Sequence, residues 1–220
     1  MRYLLDPYNW DITDPNSIPN LVLQHLYITG ISVALGLLIA VPIALLVARY
    51  RRFYAPVIIL ASIIYTLPSL AVVALLIPVP GLGLSANTVI VPLIAYTQVV
   101  LIRNIVVAID AVDPTLLDVG RAMGMNSAQV QLRVVFPLAL PIIVAGLRVV
   151  TVTTIGIATV GGLVGGGGLG TLIFGGISYL PNTDQLVAGA ILVTILAITA
   201  DLVLLAVQRF LSRGQGVSVG

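Results

Sequence analysis

Apolar residues run along this chain in long unbroken blocks, not in the short alternations or one-faced stripes of a water-soluble fold. A helix needs about 20 apolar residues to cross a bilayer. Four blocks supply them readily, at 27–48, 55–77, 89–109 and 186–208, and a fifth runs over 137–160. No residue between Arg148 and Asp184 is charged, which raises the question of a sixth span. The interval is too short, because two spans and a turn need more than about 40 residues. Its second half, 161–180, is dense in glycine, a poor composition for a free-standing helix. The pattern therefore predicts an all-α polytopic membrane protein, one transmembrane domain over 1–220 with five spans. The 161–180 segment is left as a re-entrant stretch or a short helix, stable only where protein or water covers its backbone.

Composition agrees: 59% of the residues are hydrophobic, 8% are charged and the mean hydropathy is +1.15. Soluble domains carry about 25% charge. With five spans, Arg49, Arg51, Arg52, Arg121, Arg133, Arg209 and Arg213 share one side. The other side receives Arg2 with Asp6, Asp11, Asp14 and Asp184. Basic residues accumulate on the cytoplasmic side, so the N-terminus is expected outside the cell membrane and the C-terminus in the cytoplasm. The first residues lack the apolar run of a cleaved leader. Cysteine is absent, so no disulfide framework or thiolate metal site arises. Every basic residue is Arg and every acid is Asp, a bias expected of a GC-rich genome. It has a functional consequence: a P-loop needs a lysine for the nucleotide phosphates, and these residues hold none.

The one long loop on the arginine-rich side, 110–136, has the grammar of a helical elbow. Asp113-Pro114 opens a helix, as N-cap and first-turn proline. Leu116, Leu117, Gly120 and Met123 are expected on one face, and Gly124 is placed to end the helix. Asn126-Ser127 then caps a second short helix over 128–135. A linker lying on lipid headgroups would want a strongly basic face, yet Asp118 offsets Arg121. A protein partner is the better reading.

Within this loop Asp118-Val119-Gly120, Gly124, Val134 and Phe136-Pro137 resemble the Glu-Ala-Ala signature of permease subunits of ATP-binding-cassette importers. Three residues separate the triplet from the glycine, and nine more precede Val134, as in that signature. The identities depart mildly, at Asp118 for Glu, Val119 and Gly120 for the alanines, Val134 for Ile and Phe136 for Leu. The resemblance narrows to the glycine betaine/choline branch through Leu67-Pro68-Ser69-Leu70-Ala71, Leu101-Ile102-Arg103-Asn104, Gly146-Leu147-Arg148 and Gly165-Gly166-Gly167-Gly168-Leu169-Gly170. It implies the type I importer permease fold and an osmoprotectant cargo. It implies as partners a second permease copy or paralogue, cytoplasmic ATPase subunits that hold the ATP and magnesium, and an extracytoplasmic solute-binding protein. Asp118, Gly120, Arg121, Ala122, Met123 and Gly124 would be the ATPase-coupling residues.

Other features are weighed on chemistry. Tyr65, Thr66, Pro68 and Ser69 put hydroxyls beside a helix break near mid-membrane, and with Tyr96 they are candidates for a translocation path. Each tyrosine serves equally well as packing. Pro42, Pro56 and Pro141 also fall in spans. Gly165, Gly167 and Gly170 fit a dinucleotide pattern without the strand or acid such a site needs. His25 has no acidic or thiol neighbour and reads as a satisfied residue at the mouth of the first span. Arg103 can snorkel toward its span's end, whereas Arg148 and Asp201 fall at similar depth and are expected to pair. No catalytic, cofactor, metal or nucleic-acid site is anticipated. The rival readings are an ATP-independent secondary transporter or channel, which would want several intramembrane carboxylates, and a membrane enzyme, which would want a catalytic constellation.

Overall fold

A computed structural model describes residues 2–178 and 182–212. Arg213, used above for orientation, and residues 179–180 of the glycine-rich segment lie outside them. Ten α-helices follow one another among the described residues: α1 (Arg2–Leu5), α2 (Ile18–Arg49), α3 (Tyr54–Thr66), α4 (Ser69–Leu76), α5 (Ala86–Asp110), α6 (Pro114–Ala122), α7 (Ser127–Val130), α8 (Phe136–Ala158), α9 (Gly170–Gly175) and α10 (Thr183–Ser212). Among the described residues four continuous helical stretches are long and apolar enough to cross a membrane, or five with α3 and α4 taken as one broken unit bent by 84°.

The helices outrun the apolar blocks. The first begins at Ile18, with Pro19 in its opening turn, and at 32 residues is about 48 Å long. Apolar length reports only the part that needs lipid, so helix ends that continue into headgroups or water were not visible in it. Likewise the span over 137–160 is one segment of a 37-residue helical rod from Ser127 to Leu163. Where α7 passes into α8 the rod widens to a π-turn over Gln131–Val135. Pro137 follows directly; its ring would crowd the carbonyl of Arg133 in a tight α-turn, and the wider turn relieves that clash.

The fifth unit is where proline acts as a break. Leu67 and Pro68 are extended, as a residue before proline prefers to be, so the block 55–77 becomes two helices. Pro42 and Pro141 lie inside unbroken helices, and so does Pro92.

α5 is the hub. In its apolar window 61% of the residues are buried inside the protein, against none for α10, which leaves most of its surface to the surroundings. It packs on α2, α8 and α3. Water does not drive such contacts inside a bilayer, so close backbone approach and side-chain hydrogen bonds must hold them. Gly36 of α2 lies against Thr97 of α5, where a Cβ would overlap the threonine hydroxyl. Beside it Gln98 donates Nε2–H to the Gly36 carbonyl at 3.2 Å. Between α5 and α8 the notch is Gly146, filled by the Asn104 side chain. Apolar residues fill the rest, from Ala40, Ala44 and Val47 to Leu101, Ile105 and Ala139.

At the end opposite the arginine-rich loops, the chain passes from a 3-10 turn (Thr159–Leu163) through glycines into α9. Gly165, Gly167 and Gly168 all have positive φ, a conformation that costs glycine little. Their backbone is held from α2. Gln24 Oε1 accepts from the Gly168 N–H at 3.0 Å, and His25 Nδ1 accepts from the Leu169 N–H at 3.2 Å. The other His25 nitrogen lies 3.0 Å from the Ile155 carbonyl, which makes it the donor and the ring a neutral Nε2–H tautomer. His25 is wholly buried with both ring nitrogens bonded; it clamps the glycine turn onto the bundle.

This crowding gives a direct test. A Cβ at Gly170 would overlap the Thr159 carbonyl, which is backbone and cannot swing away. Gly170→Ala should cost about 1–3 kcal/mol through overpacking, read as a lower thermal unfolding midpoint of the detergent-solubilised protein. An unchanged midpoint would show that the turn is not packed as described.

Candidate functional site

The longest stretch between spans at the arginine-bearing end folds as the elbow. Asp113 Oδ1 accepts from the Thr115 N–H at 2.8 Å and starts α6. That N–H, with the Thr115 hydroxyl, holds the Asp113 carboxyl below its ordinary range. A depressed pKa means that the cap is fully stabilising above the ordinary carboxylate value of about 3.9 and is lost as pH falls through the depressed one. At the other end of α6, Gly124 takes φ +83°. The Met125 N–H donates to the Gly120 carbonyl at 3.1 Å and the Gly124 N–H to that of Arg121 at 2.9 Å. These two bonds are the Schellman closure of a helix. Asn126 and Gln129 then exchange side-chain-to-backbone bonds, a capping box that opens α7.

The elbow is anchored on one face and bare on the other. Leu117 and Met125 pack against the core, Gly120 and Val130 are buried, and a 460 Å³ recess separates α6 and α7 from the end of α2. The four apolar positions do not share a face as expected. Leu116 and Met123 turn outward with Val119, and Met123 is 72% exposed. Arg121 pairs with Asp118 at 3.0 Å, one turn apart on the exposed side. Ala122 and Gly124 are exposed, and nothing lies within 4 Å of a Cβ placed at Gly124. A Cβ at Gly120 would make ordinary contacts with Val130, Met125 and Val134, so the turn has room for alanine there. Arg51 forks onto Asp110 beside the elbow and ties the α2–α3 connection to the end of α5.

The candidate path residues come together around the helix break. Tyr65 and Tyr96 meet edge to face with ring centroids 6.1 Å apart. Tyr96, 5% exposed, donates its hydroxyl to the Leu67 carbonyl at 3.2 Å, so the carbonyl turned out of the helical ladder at the break is capped from α5. Thr66 bonds back to the Ile63 carbonyl at 2.7 Å, while Pro68 stays exposed and Ser69 half-buried at the start of α4. A 540 Å³ cleft opens between α3 and α5, lined by Tyr65 and Thr66 on one side and Arg103 and Asn104 on the other.

Arg148 and Asp201 meet between α8 and α10. Both oxygens of Asp201 accept, from Nε and Nη2, at 2.9 Å each. Gln208 accepts from the remaining Nη1 at 3.0 Å. The bidentate fork is the strong geometry for this pair. Gln208 was not anticipated; at seven residues past Asp201 it lies two turns along the same helix face, the signal that marks it. Among the described residues no group of three or more His, Asp or Glu side chains is placed to hold a metal.

Solved structures define the class to which this arrangement belongs. The chain superposes on a chain of the inward-facing MetNI methionine ATP-binding-cassette transporter with a TM-score of 0.80, at 24% identity, over 94% of this chain and 98% of that one. An amino-acid ATP-binding-cassette transporter solved with histidines matches at a TM-score of 0.69 and 19% identity, over 86% and 91% of the two chains. The fold is that of a type I importer permease. Residues 32–216 match the binding-protein-dependent transport system inner membrane component family, and the chain belongs to it. Similar relatives include the glycine betaine/carnitine/choline transport system permease protein OpuCD of Bacillus subtilis, 40% identical over 86% of this chain and 82% of its own. The choline transport system permease protein OpuBD of the same organism is 40% identical over 86% and 83%. The osmoprotectant import permease protein OsmW of Salmonella typhimurium is 32% identical over 94% and 98%.

The charge pair yields a test that needs no cargo. Asp201→Asn or Arg148→Gln strands the partner's charge, so each should lower the yield of folded, monodisperse protein. The double mutant should recover part of that loss. Simple additivity of the two losses would show that the pair does not act as a unit.

Proposed function

We propose that this chain is the permease subunit of an ATP-driven importer for glycine betaine/choline-type osmoprotectants. The observation that carries the proposal is the elbow: a helix capped at both ends that holds Leu116, Val119 and Met123 bare beside Gly124. A soluble surface does not spend local order on an exposed apolar knob without a partner to cover it. In this reading a cytoplasmic ATPase subunit covers that knob, with Asp118, Gly120, Arg121, Ala122, Met123 and Gly124 as the coupling residues. ATP and magnesium are bound there and not by this chain. The cargo class rests on the printed functions of the relatives.

The orientation follows from the arginines, with the elbow in the cytoplasm and the N-terminus outside, facing a solute-binding protein. The solute path runs between two permease chains, past Tyr65, Thr66, Pro68, Ser69 and Tyr96. ATP binding draws the two elbows together and opens the outer side; hydrolysis restores the inward-facing state. An ATP-independent transporter would need spare acids in its spans. Among the described residues, Asp201 is already taken by Arg148.

Gly124 separates docking from folding. Its φ of +83° is tolerated by Asn and Asp better than by other side chains, at a cost of about 1 kcal/mol. Gly124→Asn and Gly124→Asp should therefore both insert and purify. The aspartate alone sets a charge against an apolar partner surface. It should lose most co-purifying ATPase and solute uptake, whereas the asparagine keeps a larger share of both. Parental uptake by Gly124→Asp with its ATPase attached would refute the coupling assignment.

A further inference from the structure

Arg103 sits on α5 seven residues before Asp110, about 10 Å along the helix from that end. Among the described residues no ion pair or hydrogen bond reaches its guanidinium, whereas Arg51, Arg121 and Arg148 are each paired with an aspartate. An arginine at such depth without a partner is costly and marks a purpose. It is exposed, and it opens into the 540 Å³ cleft between α3 and α5. That volume lies within the range of about 300–1,000 Å³ usual for small-molecule sites.

The cleft is built from two helical stripes. Val99, Arg103 and Val107 stand four residues apart on α5, and Ser62, Tyr65 and Thr66 stand at i, i+3 and i+4 on α3. One wall thus offers a planar cation between apolar flanks. The other offers an aromatic ring, 44% exposed, between two hydroxyls. The Tyr65 ring is steadied by a T-shaped contact with the Tyr96 ring. A guanidinium takes a carboxylate through two parallel hydrogen bonds, and an aromatic face takes a methylated ammonium. A solute carrying both groups matches both walls at once. A solute with the ammonium alone would meet Arg103 as a like charge.

We propose that this cleft is a transient site within the membrane for zwitterionic quaternary ammonium solutes, in which Arg103 receives the carboxylate and Tyr65 the ammonium end. The inference rests on the osmoprotectant reading and adds to it a preference: carboxylate-bearing solutes such as glycine betaine and carnitine over choline. Arg103 is then a specificity-determining residue of the permease itself, acting after any selection by a binding protein.

The test is uptake of radiolabelled carnitine, glycine betaine and choline by proteoliposomes holding the complete transporter. Comparison is made between the parental complex and Arg103→Gln. The carnitine-to-choline and betaine-to-choline uptake ratios should each fall at least tenfold. Arg103→Lys keeps the charge but loses the fork, so it should lower both ratios by less, and it serves in place of the glutamine variant if that one fails to assemble. Ratios that stay constant in an assembled variant would overturn the carboxylate assignment, as would a parental complex that carries choline alone. A parental complex that carries none of the three would instead sink the osmoprotectant reading, and this inference with it.

Discussion

Inside a bilayer a backbone group that leaves the helical ladder has no water to turn to. The fold is organised around the places where this chain leaves it. At Leu67–Pro68 the freed carbonyl is met by the Tyr96 hydroxyl, which brings α5 against the bend. At the glycine turn, N–H groups of Gly168 and Leu169 are met by Gln24 and His25, which brings the turn onto α2. Before Pro137 the helix widens to a π-turn and continues, so that α7 and α8 form one rod. The first two remedies bring α5 and α2 to particular places, and α5 is the hub of the bundle.

The same rule explains why prolines of similar standing differ. Pro42, Pro92 and Pro141 remain inside helices, whereas Pro68 ends one. A break is stable where a partner waits for the exposed carbonyl, and at Leu67 one does. That partner is 29 residues away in the chain, so no local pattern announces it.

What was legible in the sequence divides along this line. Features written locally could be read: five apolar units, the Asp113 cap, the left-handed Gly124 and the Asn126 box each depend on residues within a few positions. Binary pattern also set Arg148 and Asp201 at one depth, because helical rise converts residue count into height. What depends on distant partners was hidden. His25 could be read as a satisfied residue, but not what satisfies it, because its partners, Ile155 and Leu169, are 130 and 144 residues away. The faces of α6 were misjudged for a related reason. Leu116 and Leu117 are equally apolar, and only the position of the core decides that Leu117 packs inward while Leu116 stays bare.

In the proposed function this bare face is where an ATPase subunit pushes on the membrane domain. A push at α6 would then pass inward through packed contacts, since Val130 and Val135 seat the elbow in the core and the rod carries on to Arg148 and its bond to α10. The direct measurement is site-specific disulfide or bifunctional cross-linking from single cysteines on the elbow to the ATPase subunit in native membranes. Cysteine at Met123 or Leu116 should cross-link to the ATPase, with a yield that changes when ATP is added, and cysteine at the inward-packed, half-buried Leu117 should give far less. Absence of any ATPase adduct at Met123 and Leu116, in membranes where the complex transports, would contradict the account.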